Sequence, residues 1–375
     1  MKIAYIYDVI YPETIGGVEK RIHEIGTRLS KMGHEVHLYG MKYWEGPDII
    51  RRDGLIIHGV CPAIGLYTEG RRSILQAFRY TIGLIPHLLH ADADIVDCQN
   101  FPYFPVVVTH LITRLHRKAL VVTWHEYWGK YWFTYLGWKG LCGILIEKIA
   151  LRCSPVAIAV SPLTQDQMRR AGYQHDLVII PNGIDLGSIQ AVHPSDIRSD
   201  LIFVARFIPE KHPELVVEAV HQLVSKKPGL RCLMIGDGPE MSSVLQLIDK
   251  YGLSEHIICT GFVADYSNVI ALMKSSHVFI LPSVREGFGI VAMEAMACGL
   301  SLITVDHQRN AASAHVLPGT GLRTTLDASD IARGVYEYLE KSPDQNTLMQ
   351  YVSAHDWDTI AVDLETYYLT ILNRS

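Results

Sequence analysis

The 375-residue chain has little bias of charge, no pairing pattern among its cysteines, no long apolar run and no low-complexity tract. Each absence removes a class of protein. Lys+Arg 34 against Asp+Glu 39 gives a formal charge of -5, which argues against a nucleic-acid binder working through its overall field, though a local basic cleft stays open. The cysteines Cys61, Cys98, Cys142, Cys153, Cys232, Cys259 and Cys298 are odd in number and scattered, with no CxxC pair. A disulfide framework and a zinc ribbon are therefore poor readings; buried free thiols in a reducing compartment fit better. No run reaches the ~18 apolar residues that a membrane span needs. The start, MKIAYIYDVIYPE, carries one lysine and a short apolar run before Asp8, so it reads as a first strand rather than a signal peptide. The expected place is cytoplasmic.

What is present is ample core. At 49% hydrophobic and 19% charged the chain is globular, and one domain per ~150 residues makes two the natural number. In the first half, short apolar runs at 3–7, 35–39, 55–58, 95–98, 120–123 and 157–160 read as strands. Between the first two, residues 18–32 place Ile22, Ile25, Leu29 and Met32 at helical spacing, and Gly33 stops the helix. The second half repeats the rhythm, with strands at 201–205, 231–235, 257–260, 278–281 and 300–304. Helices are expected there at 213–225, 241–251, 268–274 and 290–296. Strands alternating with helices imply parallel sheets covered on both faces. The fold class is α/β, two doubly wound halves, with the boundary in 180–200 where Pro181-Asn182-Gly183 and His193-Pro194-Ser195 interrupt the periodicity. Ligands of such sheets bind beyond the carboxyl ends of the strands.

Several residues there carry chemistry. Gly16-Gly17 precedes a helix and is either a plain loop pair or a place where backbone approaches an anion. Arg206 and Lys211 follow a strand's carboxyl end; Arg offers a planar fork to phosphate oxygens and Lys a movable point charge. The alternative is a solvated pair or a salt bridge to Glu210. Gly236-Asp237-Gly238-Pro239-Glu240 looks like a dinucleotide fingerprint without its third glycine, and is taken as a loop bounding a nucleotide pocket. The strongest stretch runs from Pro282 through Glu286, Gly287, Phe288, Gly289 and Ile290 to Glu294. It is a strand end, a glycine turn and a helix start whose free amides suit an oxyanion. Glu286 and Glu294 are a poor glycosidase pair, because eight helical residues rise ~12 Å and such carboxyls sit roughly 5–9.5 Å apart.

These residues, with His125, Pro181-Asn182-Gly183-Ile184-Asp185 and Gly261-Phe262 in the same order, resemble the retaining glycosyltransferases of family 4. The resemblance spans essentially the whole chain and is densest from Ile180 to Ile303. It implies a GT-B fold, two Rossmann-like domains facing across a cleft: an acceptor domain at 1–185, a nucleotide-sugar donor domain at 186–354, and a segment at 355–375 returning to the first. It further implies that Arg206 and Lys211 grip the donor diphosphate and that Glu294 holds the ribose. Glu286 with the Gly287, Phe288, Gly289 and Ile290 amides would orient the sugar, Gly236 and Gly238 would bound the pocket, Gly16 and Gly17 would close over the phosphates, and His125 would sit beside the transferred sugar. No persuasive metal-ligand set is found, His34/His37 and His87/His90 included, so transfer without an obligatory metal is expected and no cofactor besides the nucleotide sugar. One departure stands out. Where the family has a Gly-Gly-x-x-Glu turn, this chain runs from Asp306 through Arg309 to Ala311, which puts the local donor contacts in doubt.

The acceptor, a sugar or a lipid-linked molecule, belongs to the first half. Between Tyr127 and Ile146 lie Trp128, Trp132 and Trp138, half of the six tryptophans, flanked by Lys130, Lys139 and Lys148. A second basic and apolar stretch runs from Arg71 to His90, with Arg71, Arg72 and Arg79 expected opposite Ile74, Leu75, Phe78, Ile82 and Leu89. Either could lie peripherally at the inner membrane face, or simply pack against the first sheet. Rival readings are a sugar phosphorylase or nucleotide-sugar epimerase of the same fold, a catalytically silent sugar-nucleotide-binding partner, and a dehydrogenase using NAD.

Overall fold

A computed structural model describes residues 1–68 and 71–374 and divides the chain into two compact units. One is Met1–Asn182 with Trp357–Ser375, the other Gly183–Asp356. The division thus falls at 182/183 and 356/357, a few residues from the expected 185 and 354, for reasons visible in the hydrogen bonds. Arg21 donates to the carbonyl of Pro181 and to Asn182 Oδ1 (3.0 Å), tying them to the first unit. Ile184 N donates to His355 O (2.9 Å) and Leu186 N to Asp356 Oδ2 (3.0 Å), which draws 184–186 into the second.

The first unit is built on an eight-stranded sheet. From edge to edge run Asp176–Ile179, Val156–Ala159, Ala119–Trp124, Ile95–Gln99, Lys2–Ile6, Glu35–Lys42, Leu55–Pro62 and Ile49–Arg52, parallel except for the last, a hairpin partner of Leu55–Pro62. Alternation along Lys2–Ile6 separates two cores. Ala4 and Ile6 face the helices Ile74–Leu89, Tyr103–Leu115 and Gly140–Arg152; Ile3 and Tyr5 face Gly17–Lys31 and the carboxyl-terminal Trp357–Leu372. That last helix buries Trp357, Ile360, Leu364, Tyr368 and Ile371. Its Ile and Leu side chains contribute about 1.5–3 kcal/mol each on burial. Gly17–Lys31 buries Ile22, Ile25 and Leu29 as its spacing predicts, while Met32, the fourth residue of that spacing, is the exposed C-cap; Gly33, at φ +93°, takes the left-handed turn that ends it.

The second unit holds a six-stranded, wholly parallel sheet in the order Ile257–Gly261, Cys232–Ile235, Leu201–Val204, Val278–Leu281, Ser301–Val305, Gly321–Thr324. The winding runs outward from Leu201–Val204, then returns to place Val278–Leu281 on its other side. That pair is the switch point, where two neighbouring loops leave in opposite directions and open a crevice. Val278–Leu281 and Ser301–Val305 are buried at every position, as strands covered on both faces must be.

Candidate active site

Both loops at the second unit's switch point carry residues singled out in the sequence. From the Leu201–Val204 side come Arg206, exposed, and Lys211, in a short turn at Pro209–Lys211. From the Val278–Leu281 side comes Glu286. The Lys211 ammonium pairs directly with Glu286 Oε1, which also accepts from Ser283 Oγ at 3.0 Å; Lys211 Nζ reaches Arg285 O at 3.3 Å. Val284 N donates to Glu210 O (3.0 Å), and Arg285 lies 3.7 Å from Glu210. The expected alternative, Glu210 neutralising the two cations, is thus displaced: Glu210 faces Arg285. Arg206 forms no ion pair or side-chain hydrogen bond among the described residues. His212, next to Lys211, sits at φ +48°, a left-handed conformation unusual for a non-glycine residue.

Beyond Glu286 the glycine turn opens the helix Ile290–Ala297, with Gly289 at its N-cap and no side-chain cap. Among the described residues the N–H groups of Gly287, Phe288, Gly289, Ile290 and Val291 have no acceptor. Five such donors directly follow Glu286, the partner of Lys211, and free amides at a helix start suit a diphosphate or a developing oxyanion. Glu294, one turn into the helix, is buried and accepts from Tyr266 Oη at 2.9 Å; burial, then the neighbouring carboxylate, drives the Tyr266 phenol well above its ordinary range.

The altered turn proves to be a scaffold. Glu286 N donates to Arg309 O and Ala311 N to Glu286 O, both at 2.9 Å, a two-rung ladder that fixes the Glu286 backbone. Asn310, buried, donates through Nδ2 to Thr304 Oγ1 (3.0 Å) and Val305 O (2.7 Å) and accepts from Ala312 N. His315 Nε2 bonds Phe288 O at 2.7 Å, and burial pushes this imidazole down to about 4.

Gly236 and Gly238 answer first to packing. A Cβ on Gly236 would lie 1.9 Å from Ala205 O, and on Gly238 2.3 Å from Phe207 O. Phe207 N donates to Asp237 O (2.9 Å) and Glu240 N to Phe207 O (3.0 Å), so this loop is zipped to the one bearing Arg206.

In the first unit, Gly16 is the N-cap of Gly17–Lys31, in extended backbone without a side-chain cap. His125 follows Ala119–Trp124 directly; its N–H donates to Asn100 Oδ1 (3.0 Å) and its Nε2 meets Gln99 Oε1 at 2.7 Å. Burial, then the Arg21 charge, pushes its imidazole down to about 3. Asp97, Gln99 and Arg21 around it were not anticipated. Two polar residues two apart inside the apolar strand Ile95–Gln99 were the signal.

The aromatic stretch divides. Tyr131 and Trp132 are buried and meet Trp128, the first edge-on and the second tilted, beside Glu147, which accepts from Trp128 N, Gly129 N and Tyr103 Oη at 2.6–2.7 Å. Phe133, Trp138, Leu141 and Leu145 remain exposed, Trp138 at 81%. On Ile74–Leu89 the apolar residues noted in the sequence face outward: Ile74, Leu75, Phe78, Ile82 and Leu89 are exposed, with Ala77, Tyr80, Leu84 and Leu88 inside. The arginines do not form an opposite face: Arg79 is exposed like these apolar residues, Arg72 turns in to the buried Asp8 (2.6 Å), and the Arg71 side chain lies outside the described ones.

The expectation of no metal-ligand set goes with a reading that the chain has no Asp-x-Asp triplet, which is wrong: Asp92-Ala93-Asp94 and Asp356-Trp357-Asp358 are two, and both have structural tasks. Asp92 and Asp94 hold Lys2 (2.5 and 2.7 Å), while Asp356 caps Leu186 and Asp358 pairs with Arg28 (2.5 Å). His34 bonds Glu365 and His37 bonds His58, while His87 and His90 line a shallow cavity with Tyr39. Among the described residues no group of three or more His, Cys, Asp or Glu could hold a metal ion.

Comparison with known proteins decides the family. Residues 15–188 match Glycosyltransferase Family 4, and residues 190–354 match Glycosyl transferases group 1. The chain belongs to glycosyltransferase family 4. It is 24% identical to a phosphatidylinositol N-acetylglucosaminyltransferase subunit of Arabidopsis thaliana, over all of this chain and 84% of the relative. It is 28% identical to the phosphatidyl-myo-inositol mannosyltransferase of Mycobacterium tuberculosis, over 76% of this chain and 75% of that one. Among solved structures it resembles a sucrose-phosphate synthase from Thermosynechococcus elongatus (TM-score 0.80, 19% identity, 100% of both chains). It also resembles Anabaena HepE in complex with UDP and glucose (TM-score 0.74, 18% identity, 98% and 99% of the two chains). The glycosyltransferase family and the GT-B type of fold follow.

Proposed function

We propose that this glycosyltransferase moves a sugar from a nucleotide-diphosphate donor to a hydroxyl of a lipid-linked or glycan acceptor, with retention of configuration and without an obligatory metal. The observation that carries the reading is the convergence of Arg206, Lys211, Glu286 and the five free amides of 287–291 at one switch point. Breaking the bond between sugar C1 and the phosphate oxygen sends an electron pair onto the departing diphosphate. Lys211, held by Glu286, and the amides of the glycine turn stabilise that charge with little reorganisation, and Arg206 adds a second cation from the same loop. The acceptor oxygen bonds to C1 on the face the phosphate leaves, and its proton passes to the departing phosphate oxygen. Glu286, held at Oε1 by Lys211 and Ser283, has Oε2 to accept from sugar hydroxyls. Glu294 takes the ribose hydroxyls, Gly16 and Gly17 the phosphates, and His125 the transferred sugar.

The acceptor class draws support from the relatives, whose names specify phosphatidylinositol, phosphatidyl-myo-inositol and, as the lipid a synthase of Acholeplasma laidlawii makes, alpha-monoglucosyldiacylglycerol. The exposed apolar helices of the first unit, rimmed by Arg79, Lys139 and Lys148, suit a peripheral contact with an anionic membrane. No helix among the described residues is long and apolar enough to cross one.

The test is thermal stability with UDP, GDP, ADP and NAD, each with and without Mg²⁺, beside an Arg206→Ala/Lys211→Ala variant. A ligand at 100 times its dissociation constant adds ~2.7 kcal/mol. One nucleoside diphosphate should stabilise the wild type without Mg²⁺ and lose that effect in the variant. No shift with any diphosphate, or a shift with NAD alone, would overturn the assignment.

A further inference from the structure

The sheet of the first unit carries a line of polar side chains through its core. Register pairs Tyr5 with Asp97 and Gln99 with Thr123, and His125 stands two residues beyond Thr123. Side chains two apart on a strand share a face, so these groups all lie on the face covered by the carboxyl-terminal helix. There Tyr368 Oη donates to Asp97 Oδ2 at 2.5 Å. Thr123 Oγ1 reaches Asp97 Oδ1 at 2.8 Å and Oδ2 at 3.0 Å, and Gln99 Nε2 donates to Oδ1 at 3.0 Å. The line ends at Gln99 Oε1 and His125 Nε2, 2.7 Å apart.

Donor and acceptor roles along this line are forced. A carboxylate only accepts, so the Gln99 amide turns its NH₂ to Asp97 and its carbonyl to the imidazole. That carbonyl can only accept, so His125 Nε2 carries the proton. The result does not depend on the charge of Asp97. Burial raises the affinity of this carboxyl for a proton, against its hydrogen-bond donors and Arg21. A proton on it would sit on Oδ2 toward the Tyr368 oxygen, and Oδ1 would still accept from Gln99. The other charged and titratable groups of the cluster are Arg21 on Gly17–Lys31, Tyr5 on Lys2–Ile6 and Tyr368 on Trp357–Leu372. Arg21 donates through Nη1 to Pro181 O and Asn182 Oδ1, and its buried Nη2 has no hydrogen-bond partner among the described residues. Nδ1 of His125 has no hydrogen-bond partner among the described residues.

We infer that Asp97 and Gln99 are positioning residues that hold His125 as its Nε2–H tautomer, leaving Nδ1 as the acceptor for a hydroxyl of the transferred sugar. Tyr368 and Thr123 anchor the carboxyl end of the line. The inference rests on His125 meeting the donor sugar, as proposed above.

The experiment is long-range ¹H–¹⁵N correlation on the full chain with ring-labelled histidine, the His125 signals assigned by their loss in His125→Gln. The wild type should show the Nε2–H tautomer alone and no titration between pH 5.5 and 8.5. Gln99→Met, close in shape and unable to accept as an amide does, should yield a tautomer mixture. It should also lower kcat by about threefold to tenfold, the worth of one hydrogen bond. An Nδ1–H ring or a mixture in the wild type would overturn the inference, as would an unchanged tautomer or unchanged kcat in Gln99→Met. Should Gln99→Met fold poorly, Thr123→Val removes one donor to Asp97, and its ring should remain Nε2–H; a switched tautomer there would count against the forced orientation of Gln99. If no donor is turned over by the wild type, the proposed function fails while the tautomer readout still stands or falls alone.

Discussion

Lys211 and Glu286 are 75 residues apart in the chain, yet they form one ion pair because their strands are neighbours at the point where the winding of the second sheet reverses. Neither acts independently: the lysine fixes one carboxylate oxygen and leaves the other available, and the carboxylate holds the ammonium beside the free amides of the glycine turn.

The pair separates shape from charge. Glu286→Gln keeps an oxygen for Lys211 and Ser283 but loses the acceptor strength offered to sugar hydroxyls. Turnover should fall about 10²–10³-fold, as when one preorganised transition-state contact is removed. Lys211→Ala should cost turnover and also about 1–2 kcal/mol of stability, because Glu286, only 13% exposed in its side chain, loses its counter-ion. Steady-state kinetics beside urea unfolding checks both. Glu286→Gln turnover within twofold of wild type would remove Glu286 from the mechanism.

Glycine at 236 is a steric necessity. At φ +134° with a backbone oxygen 1.9 Å from where a Cβ would sit, Gly236→Ala has to push the Ala205 strand end aside. Gly261, at φ +72° with nothing within 4 Å, bears only the conformational cost of a side chain. The first change should therefore destabilise the second unit by more than about 2 kcal/mol and the second by about 1 kcal/mol. Because the Ala205 loop continues into Arg206, Gly236→Ala should also weaken diphosphate binding, measured by calorimetry. Equal destabilisation by the two substitutions would contradict the packing argument.

Acid should loosen the glycine turn through His315. Its folded value near 4 lies below the ordinary 6.5 because burial disfavours the imidazolium, so the unfolded chain binds a proton that the folded chain does not. The stability it contributes is complete above about pH 6.5 and is lost as pH falls toward 4, at up to ~1.4 kcal/mol per pH unit. His315→Gln should flatten the slope of unfolding free energy between pH 6.5 and 4.5 by up to that amount. An unchanged slope would mean that His315 is already charged in the folded chain.

Where an element's pattern is local, the sequence shows it. The strands read at 3–7, 95–98, 201–205 and 278–281 appear as Lys2–Ile6, Ile95–Gln99, Leu201–Val204 and Val278–Leu281, because a strand buried on both faces is a largely apolar run, Asp97 and Gln99 being the exceptions within Ile95–Gln99. Asp176–Ile179 and Gly321–Thr324 escaped, since each is a four-residue strand that carries a charged residue, Asp176 opening the first and Arg323 interrupting the second. On Ile74–Leu89 the apolar residues were visible but their direction was not: apolar side chains occur on both sides of the helix, and the polar residues divide too, Gln76 being buried and Arg79 exposed. The support of Glu286 by Arg309 and Ala311 lies in backbone hydrogen bonds, to which side-chain identity is nearly blind. Asp97 and Gln99 could have been found, because polar residues two apart in a buried strand demand partners.

The outward apolar surface of the first unit sets the last prediction. Helices Ile74–Leu89, Tyr103–Leu115 and Gly140–Arg152 pack side by side. They expose Ile74, Leu75, Phe78 and Ile82, then Leu111 and Leu115, then Leu141 and Leu145, with Trp138 just ahead. Soluble monomers rarely leave contiguous apolar areas beyond a few hundred Å² in water. Arg79, Lys139 and Lys148 stand among them, so cations and apolar groups share the surface, as an anionic bilayer requires. The chain should float with vesicles containing phosphatidylglycerol at low salt, and less at about 0.5 M NaCl, where screening shortens the reach of these cations. Trp138→Ser/Leu141→Ser should lower the partition at least tenfold, since each buried apolar side chain is worth about 1.5–3 kcal/mol. The same variant should keep its thermal response to the nucleoside diphosphate, whose site lies wholly on other residues. No binding of the wild type to anionic vesicles at low salt would refute the membrane contact, and loss of the nucleotide response in the variant would mean that the substitutions disturb more than a docking surface.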